Sequence, residues 1–94
     1  MAVNFRIVQH QNSDALHFKL LGDFDGTSAD ELVNKLLSCK RHHGKVFIHT
    51  SGLKSMHPFG AELFSCRCRR SIDLNVILTG AYAADMAFPH AGLI

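Results

Sequence analysis

The sequence predicts a single α/β domain over residues 1–94, with a mixed sheet of about four strands and helices packed on it. Three observations predict it. Two segments alternating apolar and polar residues open the chain, separated by a turn cluster. An amphipathic helical stripe follows. Two short continuous apolar runs then come after helical segments, as buried parallel strands do. A chain of 94 residues supports one core and is too short for two.

Val3, Phe5 and Ile7 alternate with Asn4 and Arg6, and Leu16, Phe18 and Leu20 alternate with His17 and Lys19. Asn12, Ser13 and Asp14 between them are turn formers, so the two strands are expected to form an antiparallel hairpin. After Gly22-Asp23-Phe24-Asp25-Gly26, the stretch from Ser28 to Glu31 reads as a capping box. Ala29, Leu32, Val33, Leu36 and Leu37 then recur on one helical face. Lys40 and Arg41 suit the helix end, and Gly44 closes it.

Val46-Phe47-Ile48 reads as a strand buried on both faces, and Ser51-Gly52 turns the chain. Pro58 fits the first turn of a second helix, whose apolar side is Ala61, Leu63, Phe64, Cys66 and Cys68. Arg67, Arg69 and Arg70 gather at its end. Val76-Ile77-Leu78 is a third buried run, stopped by Gly80, and Tyr82 to Phe88 is expected to form a short last helix before Pro89. The order is β-β-α-β-α-β-α, and each strand–helix–strand passage implies a right-handed parallel crossover.

Apolar residues make up 47% of the chain and charged residues 19%, which excludes a disordered chain. A formal charge of +2 is too small to imply nucleic acid binding. Seven histidines make the charge rise steeply below about pH 6.5. Three cysteines, Cys39, Cys66 and Cys68, make a poor disulfide framework and imply a reducing compartment. The first residues hold no signal-peptide core, and no apolar run approaches the roughly 20 residues of a membrane span. A cytoplasmic protein without a transmembrane segment is the expectation.

Several short stretches, in order, resemble STAS domains, the family named for sulfate transporters and anti-sigma-factor antagonists. They are Leu21-Gly22-Asp23-Phe24-Asp25 before the first helix, Val46-Phe47-Ile48 with Ser51-Gly52-Leu53, Met56-His57-Pro58-Phe59-Gly60 opening the second helix, and Leu78-Thr79-Gly80. Together they span about Leu16 to Gly80. The resemblance implies a single STAS-like domain acting as a non-catalytic regulatory module. It also marks departures. Many family members that antagonise anti-sigma factors carry Asp-Ser-Ser-Gly at the start of the second helix, and a partner kinase phosphorylates the second serine. The aligned residues here are His57, Pro58, Phe59 and Gly60, so Phe59 occupies the acceptor position and cannot take phosphate. His49 stands where an aspartate is common, and the usual C-terminal helix is expected to be shortened.

The candidate partner-binding residues are Met56, His57, Pro58 and Phe59, with Asp23 and Asp25 in the loop that the resemblance places beside them. Met56 and Phe59 suit apolar anchors, and His57 a polar or pH-sensitive contact. Phe59 fits equally well as a core residue, given its spacing to Leu63. Asp23 and Asp25 suit turn and cap roles better than acid–base chemistry. Cys66 and Cys68, two apart, point in different directions and suit core packing better than chelation. His42, His43 and His90 form no ligand pair at helical spacing, and no metal or other cofactor is expected. The three arginines suit a solvated helix end. No phosphate-binding loop and no nucleophile elbow occurs, so no enzymatic activity is expected.

The expected function is a protein-interaction module that binds an anti-sigma-factor-like kinase or a transporter subunit without phosphoserine gating. The alternative is a sensor of a small anionic ligand, or a lipid-linked transport accessory subunit. Nothing in the chain requires a homo-oligomer, though exposed phenylalanine permits one.

Overall fold

Alternation of apolar and polar residues in the first third of the chain produces the hairpin that founds the sheet. A computed structural model describes residues 4–39 and 44–94. Strand β1 (Arg6–Asn12) pairs antiparallel with β2 (Ala15–Phe24) across a tight turn at Ser13 and Asp14, where Ser13 adopts φ 60°. β1 starts later than the alternation from Val3 suggests, and its residues are almost all exposed. Val3 lies outside the described residues.

Helix α1 (Gly26–Leu37) leads to β3 (Lys45–His49). Strand β4 (Leu53–Met56) precedes helix α2 (Pro58–Ser71), and β5 (Asn75–Thr79) follows it. The chain closes with a 3-10 turn at Ala84–Met86 and a two-residue strand β6 (Gly92–Leu93). The sheet order is β1-β2-β3-β5-β6, with β4 alongside the last residues of β2. β2, β3, β5 and β6 run parallel to one another, and β1 is antiparallel to β2. The fold class is the expected α/β domain with a mixed sheet, which among the described residues carries six strands where about four were expected.

The extra strands are the short ones. β4 has no alternating pattern of its own and exists because β2 continues past a register shift at Gly22 and Asp23 to pair with it. The expected last helix shrinks to the 3-10 turn, leaving Met86 and Phe88 to plug the core.

Helix α1 also begins earlier than the Ser28–Glu31 pattern suggests. Asp25 is the cap, its Oδ1 accepting the Ser28 backbone N–H at 2.9 Å. Ser28 is buried, and its hydroxyl donates to Asp23 O and Asp25 Oδ1. The Asp25 carboxylate holds an N–H of the first turn, so the helix starts at Gly26 and not after Ser28. Replacing Asp25 with alanine is expected to cost about 1 kcal/mol of stability, read as a lowered urea midpoint with an unchanged slope. The Lys40 and Arg41 helix end, and His42 and His43, lie outside the described residues.

Both helices pack on one face of the sheet, with Asp30 of α1 and Arg67 of α2 forming a salt bridge between them. The core beneath holds Phe18, Leu20, Leu32, Leu36, Val46, Ile48, Val76 and Leu78, all fully buried. Cys68 joins it, and burial pushes its thiol up to about 12, so it is an inert packing residue. β3 is therefore buried on one face, not two. Val46 and Ile48 face the helices, whereas Phe47 and His49 are half-buried on the open side. The run looks continuous because Phe47 packs against the His17 ring rather than under a helix.

Candidate functional site

The chain passes from strand to helix twice at one end of the sheet, and pairing of β4 with β2 brings the two junctions together. Asp23 pairs with Ser55 and Phe24 with Met56. The His57 N–H then donates to the Phe24 carbonyl at 2.9 Å, extending the ladder to the residue that precedes α2. All six residues expected at the site therefore fall on two adjoining junctions. Asp23 and Asp25 come from the β2–α1 side, and Met56, His57, Pro58 and Phe59 from the β4–α2 side.

Gly60 permits the approach. A Cβ there would lie 2.7–2.9 Å from the backbone C, O and Cα of Asp25, so only glycine lets the first turn of α2 rest on the α1 cap. Gly26 is covered in the same way by the Phe59 ring, whose Cε2 would stand 2.8 Å from a Cβ. Phe59 itself is 68% exposed. Of the two placements open to it from sequence, core or surface, the structure shows the surface one. Phe64 is the core aromatic of α2, and Leu63 is only half-buried.

Asp23 is half-buried and has structural partners. The Ser55 hydroxyl donates to its Oδ1 at 2.6 Å, and its backbone N–H donates to Asn4 Oδ1. The hydrogen bonds from Ser55 and then Asn4, helped by the weaker influence of the Lys54 and His57 charges, hold the Asp23 carboxyl below its usual value against the opposing effect of burial. The linked stability is present above the ordinary aspartate pKa and is lost as pH falls through the lowered one. In Ser55→Ala the Asp23 pKa is expected to rise, measured by NMR titration of the side-chain carboxyl. An unchanged value in the variant would show that the hydroxyl does not hold the charge.

Beside this edge, Met56, Pro58, Ala61, Glu62, Ser65, Tyr82 and Asp85 line a cleft of about 540 Å³. Its two charged lining residues, Glu62 and Asp85, are both acidic, and His57 and Pro58 are exposed nearby. No side chain caps the α2 N-terminus. The arrangement presents one apolar ring, a carboxylate already fixed by a hydroxyl, and an uncapped helix start. That set suits contact with a surface.

Sequence reasoning missed the roles of Gly26, Tyr82, Glu62 and Asp85, because each depends on β4 forming. It also missed a histidine pair on the open face, His17 and His49, although the outward alternation of His17 and Lys19 along β2 was a visible signal. Among the described residues, no helix is long and apolar enough to cross a membrane.

No protein-family model matches the sequence, and no curated protein matches it. Solved structures do share its fold. The unphosphorylated anti-sigma-factor antagonist SpoIIAA superposes with a TM-score of 0.60 at 15% identity, over 81% of this chain and 74% of that one. An uncharacterised DUF3478-family protein with a SpoIIAA-like fold, from Shewanella loihica PV-4, superposes with a TM-score of 0.58 at 14% identity, over 100% of this chain and 87% of that one. The strand order, the paired junctions and these superpositions together show that the chain has a SpoIIAA-like fold, the fold that the resemblance to STAS domains implies.

Proposed function

We propose that this domain is a non-catalytic protein-interaction module whose β2–α1 and β4–α2 junctions bind a partner protein. The partner class is an anti-sigma-factor-like kinase or a transporter subunit, and the interaction is not gated by phosphoserine. One observation carries the reading: Phe59, at the position that is a serine acceptor in the family this chain resembles, is a large aromatic ring held 68% exposed on the α2 edge. Exposed rings of this size serve as interface anchors because they bury much apolar area at small entropic cost. The SpoIIAA fold supports a regulatory role. A small anion in the adjoining cleft would face Glu62 and Asp85, so the protein partner is the better supported of the two expected ligands.

The test is affinity capture from the source cells with wild type and Phe59→Asp as parallel baits. Circular dichroism checks that both are folded, as expected for a substitution at an exposed position. A kinase-like ATPase or transporter subunit held by wild type should bind the variant about 30-fold more weakly or worse, the effect of losing a hot-spot anchor of about 2 kcal/mol. Equal capture by both baits would remove Phe59 from the interface.

A further inference from the structure

The sheet face turned away from the helices carries a second cluster of polar side chains, on elements separate from the α2 edge. Pairing sets His10 opposite His17 and Val8 opposite Lys19. It sets Phe47 beside His17 and His49 beside Lys19, and β5 adds Ile77 and Thr79. His17 Nδ1 lies 2.9 Å from His49 Nε2, and His49 Nδ1 lies 2.7 Å from Thr79 Oγ1. The two imidazole planes differ by 3° with centroids 5.2 Å apart. That separation fits two coplanar rings joined edge to edge through one N–H···N bond, not rings stacked face to face. The Phe47 ring lies parallel to His17 at 4.8 Å and holds it upright.

This relay dictates where a proton can act. One N–H···N bond requires one bare nitrogen, so a proton at each of the facing nitrogens would set donor against donor. His49 has both ring nitrogens engaged inside the protein. His17 uses Nδ1 and leaves Nε2 without a partner among the described residues. Burial, then the charges of His17 and Lys19, hold His49 below the usual histidine value. His17 is therefore the ring of the pair with an open nitrogen, and an Nε2–H there is free to donate to a ligand.

Val8, His10, Asn12, His17, Lys19 and His49 line a groove of about 420 Å³, within the size range of small-ligand sites. The ionisable side chains facing this way from β1, β2 and β3 are Arg6, His10, His17, Lys19, Lys45 and His49, all basic. Outward residues of β5 are the uncharged Asn75, Ile77 and Thr79. Asp23, the one acid on these four strands, sits beyond the β2 register shift and is bonded to Ser55. Asp14, at the hairpin turn, lines a different depression with Lys45. A second copy laid on this face would oppose like charges, whereas an anion would meet only opposite ones.

We propose that this groove is an oxyanion-binding site, taking a carboxylate or a phosphate-class group between the Lys19 ammonium and the Nε2–H of a protonated His17. His10 completes the rim, and His49 and Thr79 are positioning residues that hold the His17 ring. Affinity then rises as pH falls through the histidine range.

The test is NMR of the whole chain, amide and imidazole, titrated with sodium sulfate and separately with sodium acetate at constant ionic strength. Both anions keep their charge between about pH 7.5 and about pH 5.5, so any pH dependence belongs to the protein. Saturable shifts should be confined to residues 8–19 and 47–49, at least about tenfold tighter at the lower pH. Tighter sulfate binding assigns a phosphate-class ligand, and tighter acetate binding a carboxylate. Lys19→Gln, an exposed substitution, should weaken either anion about tenfold, and His49→Gln should move the pH midpoint of binding. Absence of saturable shifts, equal affinity at both pH values, or binding that survives Lys19→Gln with His17→Gln would overturn the site. An unmoved midpoint in His49→Gln would overturn the positioning role.

Discussion

Replacing Phe24 with alanine is expected to remove about 3–5 kcal/mol of stability, a large share of the roughly 5–15 kcal/mol that holds a domain of this size. Phe24 is fully buried and sits in the middle of a row of edge-to-face aromatic contacts. Its ring meets Phe5 at 5.6 Å and Phe64 at 6.2 Å, and Phe64 meets Phe88 at 6.0 Å. The row ties β2 to α2 and to the segment after the 3-10 turn, so truncation opens a cavity bordered by elements that cannot all close in together. Its carbonyl also receives the His57 N–H, which couples this core position to the site. The melting temperature should fall by roughly 15–30 °C. Phe59→Ala, on an exposed ring, should change stability by no more than about 0.5 kcal/mol. Urea unfolding of both variants checks the contrast, and a loss below about 1 kcal/mol in Phe24→Ala would contradict the aromatic row.

Gly60→Ala tests the contact between the helix starts. Alanine favours a helix over glycine by up to about 1 kcal/mol, so an open site would gain stability. Here the added methyl would meet Asp25 backbone atoms at 2.7–2.9 Å. One of them, the Asp25 carbonyl oxygen, already accepts the Ala29 N–H at 2.9 Å and has no side-chain freedom to yield. Overpacking of about 1–3 kcal/mol outweighs the propensity gain, so the net effect is destabilising. The same displacement moves Phe59 off Gly26, and partner affinity should fall with stability. A stabilised Gly60→Ala domain would show that the two junctions are not in contact.

Much of this architecture was legible where a residue pattern maps directly onto a buried face. Leu16, Phe18 and Leu20 point inward from β2 as their alternation implies, and Ala29, Leu32, Val33 and Leu36 form the buried face of α1. Other features depend on long-range partners that local patterns do not encode. β4 is four residues long and forms only because β2 runs on past its bulge. The α1 start moved because the Asp25 carboxylate caps the chain three residues earlier, accepting the Ser28 N–H, while the Ser28 hydroxyl donates to Asp23 O and Asp25 Oδ1. Phe59 and Leu63 share a helical spacing that fits burial or exposure alike. Only the placement of Phe64 against Phe24 and Phe88 decides that α2 turns a different stripe inward. The six site residues were identifiable as neighbours through resemblance, but the atoms joining them, Ser55 to Asp23 and Gly60 to Asp25, required the sheet pairing.

The most direct measurement is a hydrogen-exchange footprint of the domain, free and bound to the protein it captures. A partner docked on the α2 edge should slow exchange at residues 23–26 and 56–62 and leave the β1–β3 strands as they are in the free domain. Slowed exchange on the β1–β2 hairpin, with residues 56–62 unchanged, would place the partner on the open sheet face and contradict the proposed interface.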